Sequence, residues 1–281
     1  MATGENKINV IQSNSFNIAL ANHYHLSIEI SAFSLCYCIL NNKTLSYEYT
    51  KEYNLSSDQD TKTEISEIIT NDTILKADFS SKSIAYVNSP STLVPSALYK
   101  EEDKELFLSF NTKISGDVMS DNITSQEAYL IYCIPEGIES VITNFFPDAK
   151  QKSQESILIE QYVKLNTNTE NAYLHLNKNK ATVTIFKKNK FIFNNTFEYS
   201  TKEDLLYFVL FAFEQVKVSP ENIILTIFGD IEKGDDYFNL LYDYIRHIKL
   251  GERPSQLSFP NEFNHLSSHK YFGLFTQILC V

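Results

Sequence analysis

The sequence contains the same strand pattern twice. Residues 26–50 (LSIEISAFSLCYCILNNKTLSYEYT) and residues 173–200 (YLHLNKNKATVTIFKKNKFIFNNTFEYS) each read as an apolar strand, a short break, a second strand, a polar turn and a third strand. The spacing holds without a gap, because 174 − 28 = 146 separates Leu174 from Ile28 and 191 − 45 = 146 separates Phe191 from Leu45. A helical stretch and another apolar strand follow in both halves. The repeat predicts a duplicated α/β unit, with any site expected in a cleft between the halves.

The pattern predicts mixed sheets flanked by helices. Strands are predicted at 26–31, 34–41 and 44–53 in the first half and at 172–177, 181–187 and 190–198 in the second. Strands separated by helices imply parallel pairing, whereas each opening trio implies antiparallel hairpins. The polar run NTNTEN at 166–171 is the best boundary candidate and divides the chain into domains 1–167 and 168–281.

Two further segments test this reading locally. An apolar helix is predicted at 201–216, begun by a capping box in which the Ser200 side chain accepts from the third amide and Glu203 reaches back. Residues 111–124 read as a loop or a weakly extended segment.

Charge and hydropathy exclude several classes of partner. The formal net charge of -11 repels nucleic acid and anionic lipid. The densest basic cluster, Lys187, Lys188 and Lys190, falls in a predicted hairpin turn, where solvated lysines are ordinary. The most apolar window, Leu205 to Phe213, is about half of the ~20 residues that span a bilayer, and the first residues lack the signal-peptide pattern. We therefore predict a cytoplasmic protein that binds neither nucleic acid nor membrane.

The cysteines predict neither a disulfide framework nor a metal site. Cys36 and Cys38 are two residues apart in a predicted strand, so their side chains share one face and cannot bridge each other. A metal site would need a second pair of ligands nearby. Cys133 and Cys280 stand alone in apolar runs. Small buried thiols in a reducing compartment explain all four.

Four local segments, taken in order, resemble a known superfamily. They are LSIEIS at 26–31, TLVPSALY at 92–99, YLIYCIP at 129–135 and HKYFGLFTQILC at 269–280. With the repeat they cover nearly the whole chain and resemble the actin-like ATPases, a group with a ribonuclease H-like fold that includes actin, sugar kinases and chaperone ATPases. More closely, the chain looks like an uncharacterised bacterial protein family of about this length with that fold. The resemblance implies two mixed-sheet domains flanked by helices.

The resemblance also places the candidate site residues. In the superfamily, Asp-x-Gly ends the first strand of each half: the carboxylate organises Mg²⁺ and the glycine lets backbone amides approach phosphate. The matching positions are Glu29-Ile30-Ser31, with Ser34 beyond, and His175-Leu176-Asn177. The superfamily's adenosine-contacting glycines correspond to Gly229 and Gly234, beside Asp230. Both Asp-x-Gly glycines are missing, so the sequence predicts a degenerate nucleotide site.

Structural roles compete with chemical ones at these positions. Glu29 could bind a metal or simply lie on a strand face, and His175 could be a general base or a hydrogen-bonded strand residue. Asp230, Asp235 and Asp236 could hold a cation or complement a helix dipole.

The prediction for function follows from the weak chemistry at these positions. It is a protein that acts by protein–protein contact, including self-association, with no catalytic residue, no metal ligand and no cofactor. The alternative is an ATP-binding phosphotransferase or ATPase with a divergent site between the domains, which would use Glu29, the Asp230 to Asp236 loop, ATP and Mg²⁺.

Overall fold

The computed structural model describes residues 9–56, 59–167 and 169–280. Contacts divide the chain into two compact units. Unit 1 comprises Met1–Ile157, Ser255–His265 and Gly273–Val281, and unit 2 comprises Leu158–Pro254 and Leu266–Phe272. The sequence-based boundary after residue 167 lies ten residues later (167 − 157 = 10), and it does not anticipate that C-terminal segments belong to unit 1. One such segment is held by the backbone, since the Tyr47 N–H donates to the Ser258 carbonyl over 3.0 Å.

Unit 1 contains a large mixed sheet and a small antiparallel sheet. Its strands are β1 (Asn9–Gln12), β2 (Tyr24–Ile30), β3 (Ser34–Asn41), β4 (Ser46–Asn54), β5 (Ser81–Tyr86), β6 (Ser91–Pro95), β7 (Gly116–Ile123), β8 (Ala128–Pro135) and β9 (Lys150–Ser153). Its helices are α1 (Thr61–Asn71), α2 (Lys104–Ser109) and α3 (Ile138–Phe145), and α4 (Gln154–Leu165) begins in unit 1 and ends in unit 2. Short 3₁₀ turns at Ile18–His23, Glu101–Asp103, Thr124–Gln126, Asn261–Phe263 and Gln277–Leu279 complete the helical structure.

The large sheet of unit 1 has the order β1-β4-β3-β2-β5-β9. Strands β1, β4, β3 and β2 pair antiparallel, and β2, β5 and β9 pair parallel. Its apolar face packs on α1 and α3, where Ile28, Ile65 and Ile142 belong to one buried cluster. The small sheet, β6-β8-β7, is antiparallel and packs on Leu108 of α2. Strand β7 falls in the segment predicted as a loop.

Unit 2 contains one mixed sheet with a helical layer. Its strands are β10 (Glu170–Asn177), β11 (Lys180–Lys187), β12 (Lys190–Glu198), β13 (Ile224–Gly229) and β14 (His247–Leu250), and its helices are α5 (Lys202–Gln215) and α6 (Asp236–Tyr244). The last helix, α7 (Phe272–Thr276), starts at the final residue of unit 2 and continues in unit 1. The sheet order is β12-β11-β10-β13-β14, with an antiparallel trio and parallel pairing from β10 to β14.

The faces of the unit 2 sheet are covered differently. Residues such as Leu174, on one face of β10, pack against α5 and α6. Tyr173, on the opposite face, joins an aromatic cluster with Tyr162, Phe228 and Phe272. Alternation along the strand separates these two sets, because successive side chains point to opposite faces.

The two large sheets share their strand order and even an irregularity. Strands β4-β3-β2-β5-β9 and β12-β11-β10-β13-β14 have the same sequence of antiparallel and parallel pairings. A register shift falls between Ile39 and Leu40 in one sheet and between Ile185 and Phe186 in the other, again 146 residues apart (185 − 39). Mixed sheets flanked by helices confirm the predicted fold class. No helix among the described residues is long and apolar enough to cross a membrane.

Candidate functional site

The turn between β2 and β3 contains Ser31 and Ser34 and is closed by its own side chains. The Ser31 hydroxyl accepts hydrogen bonds from the backbone N–H groups of Phe33 (3.1 Å) and Ser34 (2.9 Å). The Ser31 N–H donates to the Ser34 carbonyl over 2.9 Å, and the two hydroxyl oxygens lie 2.9 Å apart. A serine side chain that bonds nearby backbone amides stabilises a turn locally. Two amides of this turn are therefore already occupied.

Glu29 is a buried strand residue held by the start of α4. It lies on the face of β2 opposite the core, where its Oε1 accepts a hydrogen bond from Gln154 Nε2 over 2.8 Å. Gly273 approaches this pair closely: a Cβ on Gly273 would lie 2.7 Å from Glu29 Oε1 and 2.8 Å from Gln154 Nε2. The position therefore requires glycine, and the carboxylate is enclosed within unit 1 rather than exposed on the strand surface.

A second buried carboxylate lies beside Gln154 and was not predicted from the sequence. Asp121 Oδ2 accepts from the Ser153 N–H over 2.8 Å and from the Ser156 hydroxyl, at the beginning of α4. Burial raises the pKa of Asp121, while these hydrogen bonds oppose the rise. Polar residues before the apolar run of α4 are a visible helix-start signal. They could not have identified Asp121, which is 32 residues away from Ser153.

His175 lies one strand position before the end of the β10 face that carries Tyr173. Its Cα partners are Thr182 on β11 and Phe228 on β13, and its side chain is buried. Burial lowers the pKa of His175 to about 4. The imidazole is therefore neutral near pH 7, and it carries no negative charge with which to organise Mg²⁺.

The turn between β10 and β11 is closed by a carboxylate. Asn177 pairs with Lys180 across the turn. Asp230 Oδ2 accepts from the Lys178 backbone N–H over 3.3 Å, and the Asp230 N–H donates to the Leu176 carbonyl over 2.9 Å. Asp230 thus joins the end of β13 to this turn.

The two candidate glycines have unlike environments. Gly229 has φ +89° and its N–H donates to the His269 carbonyl over 3.0 Å; a Cβ there would lie 1.9 Å from the Leu176 carbonyl oxygen. Gly234 has φ +93°, but a Cβ there would meet no described atom within 4 Å. Asp235, next in the chain, caps α6 by accepting from the Phe238 N–H over 2.6 Å.

The thiols and acidic residues do not assemble a metal centre in the described part of the chain, where no group of three or more His, Cys, Asp or Glu is placed to hold an ion. Cys36 and Cys38 are buried free thiols, and burial raises the pKa of both, with Glu29 adding to the effect. Both therefore stay protonated, the form that is poorest as a metal ligand.

The predicted residues thus form one group in each unit. Glu29, Ser31 and Ser34 lie at the carboxyl end of β2, and His175, Asn177, Gly229 and Asp230 lie at the matching ends of β10 and β13. Gly234 lies apart, in the loop before α6. Ligands of open α/β sheets bind outside the carboxyl ends of parallel strands, so the prediction selected the expected end of each sheet.

Solved structures share this architecture. A Bacteroides thetaiotaomicron protein with an actin-like ATPase fold and unknown function superposes with a TM-score of 0.77 at 19% identity, covering 85% of this chain and 94% of that chain. A chain of the PilM–PilN type IV pilus biogenesis complex gives a TM-score of 0.57 at 10% identity, covering 91% of this chain and 98% of that chain. At these identities the likeness shows the fold alone. The predicted actin-like ATPase fold is confirmed.

No curated protein matches the chain in sequence. Residues 13–248, well over half of the chain, match the family described as "Protein of unknown function (DUF3822)". The match agrees with the predicted resemblance to an uncharacterised family of this fold. The chain belongs to the DUF3822 family.

Proposed function

We propose that this protein is a non-catalytic member of the actin-like fold that acts by binding another protein. The observation that carries the proposal is the closed turn after β2. Backbone N–H groups in such turns are the natural ligands for phosphate oxygens. Here the Ser31 hydroxyl accepts from Phe33 and Ser34, so a phosphate would have to displace it.

The matching turn of unit 2 supports the same conclusion. The Asp230 carboxylate accepts from the Lys178 amide, so a phosphate at this turn would meet a like charge. The strand residue that corresponds to a metal-organising carboxylate is His175, whose pKa is lowered to about 4 by burial. These residues do not fit Mg·ATP, and we assign neither a cofactor nor a catalytic residue.

Several observations support a protein partner. A chain of similar fold occurs in the PilM–PilN type IV pilus biogenesis complex, so this fold can work by assembling with another protein. The formal net charge of -11 disfavours nucleic acid and anionic lipid. Buried free thiols at Cys36, Cys38 and Cys133 suit a reducing cytoplasm. The shared strand order and the register shift repeated after 146 residues support an internal duplication.

The test is a titration of pure protein with Mg·ATP, followed by thermal unfolding and by steady-state phosphate release. A ligand that binds only the folded state raises the unfolding temperature by mass action. We expect neither a shift nor turnover at millimolar nucleotide. Saturable stabilisation with Mg²⁺-dependent turnover, both lost in Glu29→Ala, would replace this proposal with the ATP-dependent alternative. Gly234→Ala serves as the matched control, because it changes an open loop position.

A further inference from the structure

Helices α5 and α6 lie side by side on one face of the unit 2 sheet. Leu205 and Val209 of α5 and Phe238 of α6 belong to the same buried cluster. The two amino-terminal ends are adjacent, since Lys202 Nζ lies 3.9 Å from Asp236 Oδ2. The helices therefore run in the same direction and present one continuous outer surface, here called the α5–α6 face.

The α5–α6 face exposes large aromatic side chains. Tyr207 on α5 is 62% exposed and Tyr242 on α6 is 61% exposed. Tyr207 stacks on Phe211, one turn later, with ring centroids 6.0 Å apart, and Phe211 is itself exposed. Tyr244 adds a further exposed ring at the end of α6. Aromatic rings grouped on neighbouring helices are typical of a contact surface, because each buries a large area at a small entropic cost.

The same face is strongly acidic. Its two helices carry a single basic residue, Lys202, which already pairs with Asp236. The acidic residues on the two helices are Glu203, Asp204, Glu214, Asp236 and Asp243. Because the carboxylates surround exposed rings, the face complements a cation that can also stack on an aromatic surface.

We propose that the α5–α6 face binds a basic, arginine-containing segment of a partner protein. This inference rests on the proposed function for the role of protein binding, and it adds the surface and the chemistry of the partner. A guanidinium group stacks on a tyrosine ring and pairs with a carboxylate through two parallel hydrogen bonds. A symmetric contact between two copies would place acidic faces together, so like charges oppose self-association through this surface.

The experiment measures binding of fluorescein-labelled deca-arginine and deca-lysine by anisotropy at physiological ionic strength, where long-range attraction is screened. One variant removes the rings (Tyr207→Ala with Tyr242→Ala). A second variant neutralises three acids of the face. A third is its charge-matched control, with three exposed acids of unit 1 neutralised. The acid variant is Glu203→Gln, Glu214→Gln, Asp243→Asn; the control is Glu102→Gln, Glu105→Gln, Glu136→Gln. Thermal unfolding verifies that each variant folds.

We expect saturable binding of deca-arginine that is weaker for deca-lysine. The ring variant and the acid variant should each weaken deca-arginine binding about tenfold. The unit 1 control should stay within about twofold of the unchanged protein, since it alters only the general charge.

Three results would overturn the inference: no saturable binding, equal losses in the acid variant and its control, or unchanged binding in the ring variant. Sedimentation provides a fourth, because self-association abolished by the ring variant would assign the face to a second copy. The Mg·ATP titration is read separately. Nucleotide turnover would reject the proposed function while leaving the peptide data intact, and a failed peptide assay would reject this inference alone.

Discussion

The hydroxyl of Tyr162 ends inside the aromatic cluster of unit 2. Its ring stacks on Tyr173 with centroids 4.5 Å apart and lies 6.1 Å from the ring of Phe272. The hydroxyl oxygen has no hydrogen-bond partner within the described part of the chain. A buried donor without a partner costs about 1–3 kcal/mol. The ring therefore contributes to packing, whereas the hydroxyl opposes folding.

Tyr162→Phe keeps the ring and removes the hydroxyl. We expect the free energy of unfolding to rise by about 1 kcal/mol, measured by urea denaturation. Tyr37→Phe is the matched control, because the buried Tyr37 hydroxyl donates to Asp72 Oδ2 over 2.8 Å. That variant should lose about 1–3 kcal/mol. A loss of similar size in both variants would show that Tyr162 has a partner after all.

His175 gives the folded chain a measurable dependence on pH. Burial lowers its folded pKa from 6.5 to about 4, so the unfolded chain binds this proton first as the pH falls. The stability linked to His175 is therefore complete above pH 6.5 and is lost as the pH falls towards 4 and below. His25 behaves in the same way, since burial and then Lys150 lower its pKa to about 4.

Replacing His175 by Gln should flatten this dependence. Between about pH 7 and pH 4 we expect the variant to lose about 3 kcal/mol less unfolding free energy than the unchanged protein, as the shift implies. Urea denaturation across this pH range provides the measurement. His25→Gln should flatten the curve to a comparable extent. Parallel curves for His175→Gln and the unchanged protein would mean that His175 titrates normally when folded.

The sequence predicted which residues changed at the site but not what replaced their chemistry. The missing glycines at Ser31 and Asn177 are visible in the sequence. The hydrogen bonds from Phe33 and Ser34 to the Ser31 hydroxyl depend on turn geometry, which no local pattern encodes. Gln154 meets Glu29 across 125 residues, a distance at which a single sequence gives no pairing signal.

At the scale of elements, Gly229 and Gly234 share a positive φ but differ in packing, and this difference can be measured. Gly229→Ala would force a Cβ to within 1.9 Å of the Leu176 carbonyl oxygen, so β10 and β13 must separate. We expect a loss of about 3 kcal/mol or more. Gly234→Ala meets only the conformational cost, about 1 kcal/mol. Urea denaturation of the two variants side by side tests the difference, and equal losses would contradict the close approach at Gly229.

The start of α5 corrects the sequence prediction by one residue. The observed capping box uses Thr201 and Asp204 rather than Ser200 and Glu203: the Thr201 hydroxyl accepts from the Asp204 N–H over 3.1 Å, and the Asp204 carboxylate accepts from the Thr201 N–H over 3.0 Å. Both frames satisfy the Ser/Thr-to-acid spacing. The tertiary position of the apolar helix face selects between them.

Thr201→Ala should therefore cost about 1 kcal/mol of unfolding free energy, and Ser200→Ala less than about 0.5 kcal/mol. Guanidinium denaturation of the two single variants is sufficient. A larger loss for Ser200→Ala would restore the predicted frame and contradict the observed cap.

Elements were predicted best where the pattern was strongly apolar. The predicted strands 34–41 and 190–198 match β3 and β12. Strand β7 was predicted as a loop because its residues, GDVMSDNI, are largely polar. Its pairing with β8 over residues 116–123 supplies the order that its own sequence does not. Short polar edge strands are therefore assigned by their neighbours.

At the scale of the whole molecule, the repeat was the strongest signal in the sequence. The offset of 146 residues, read from apolar positions, reappears in the register shifts after Ile39 and Ile185. The sequence could not predict that segments after residue 254 belong to unit 1, because a return of the chain is set by tertiary contacts. One fold serves many functions, so the account depends on the closed turns rather than on the architecture.

The most direct test observes the turn amides themselves. Backbone N–H resonances of Phe33 and Ser34 are followed by NMR while Mg·ATP, and separately inorganic phosphate, is added to millimolar concentration. Because the Ser31 hydroxyl occupies both amides, the account predicts that neither resonance moves. Ser31→Gly is the control, since it removes the acceptor and should speed exchange of both amides with water. Saturable movement of both resonances in the unchanged protein would show that the turn binds phosphate and would contradict the account.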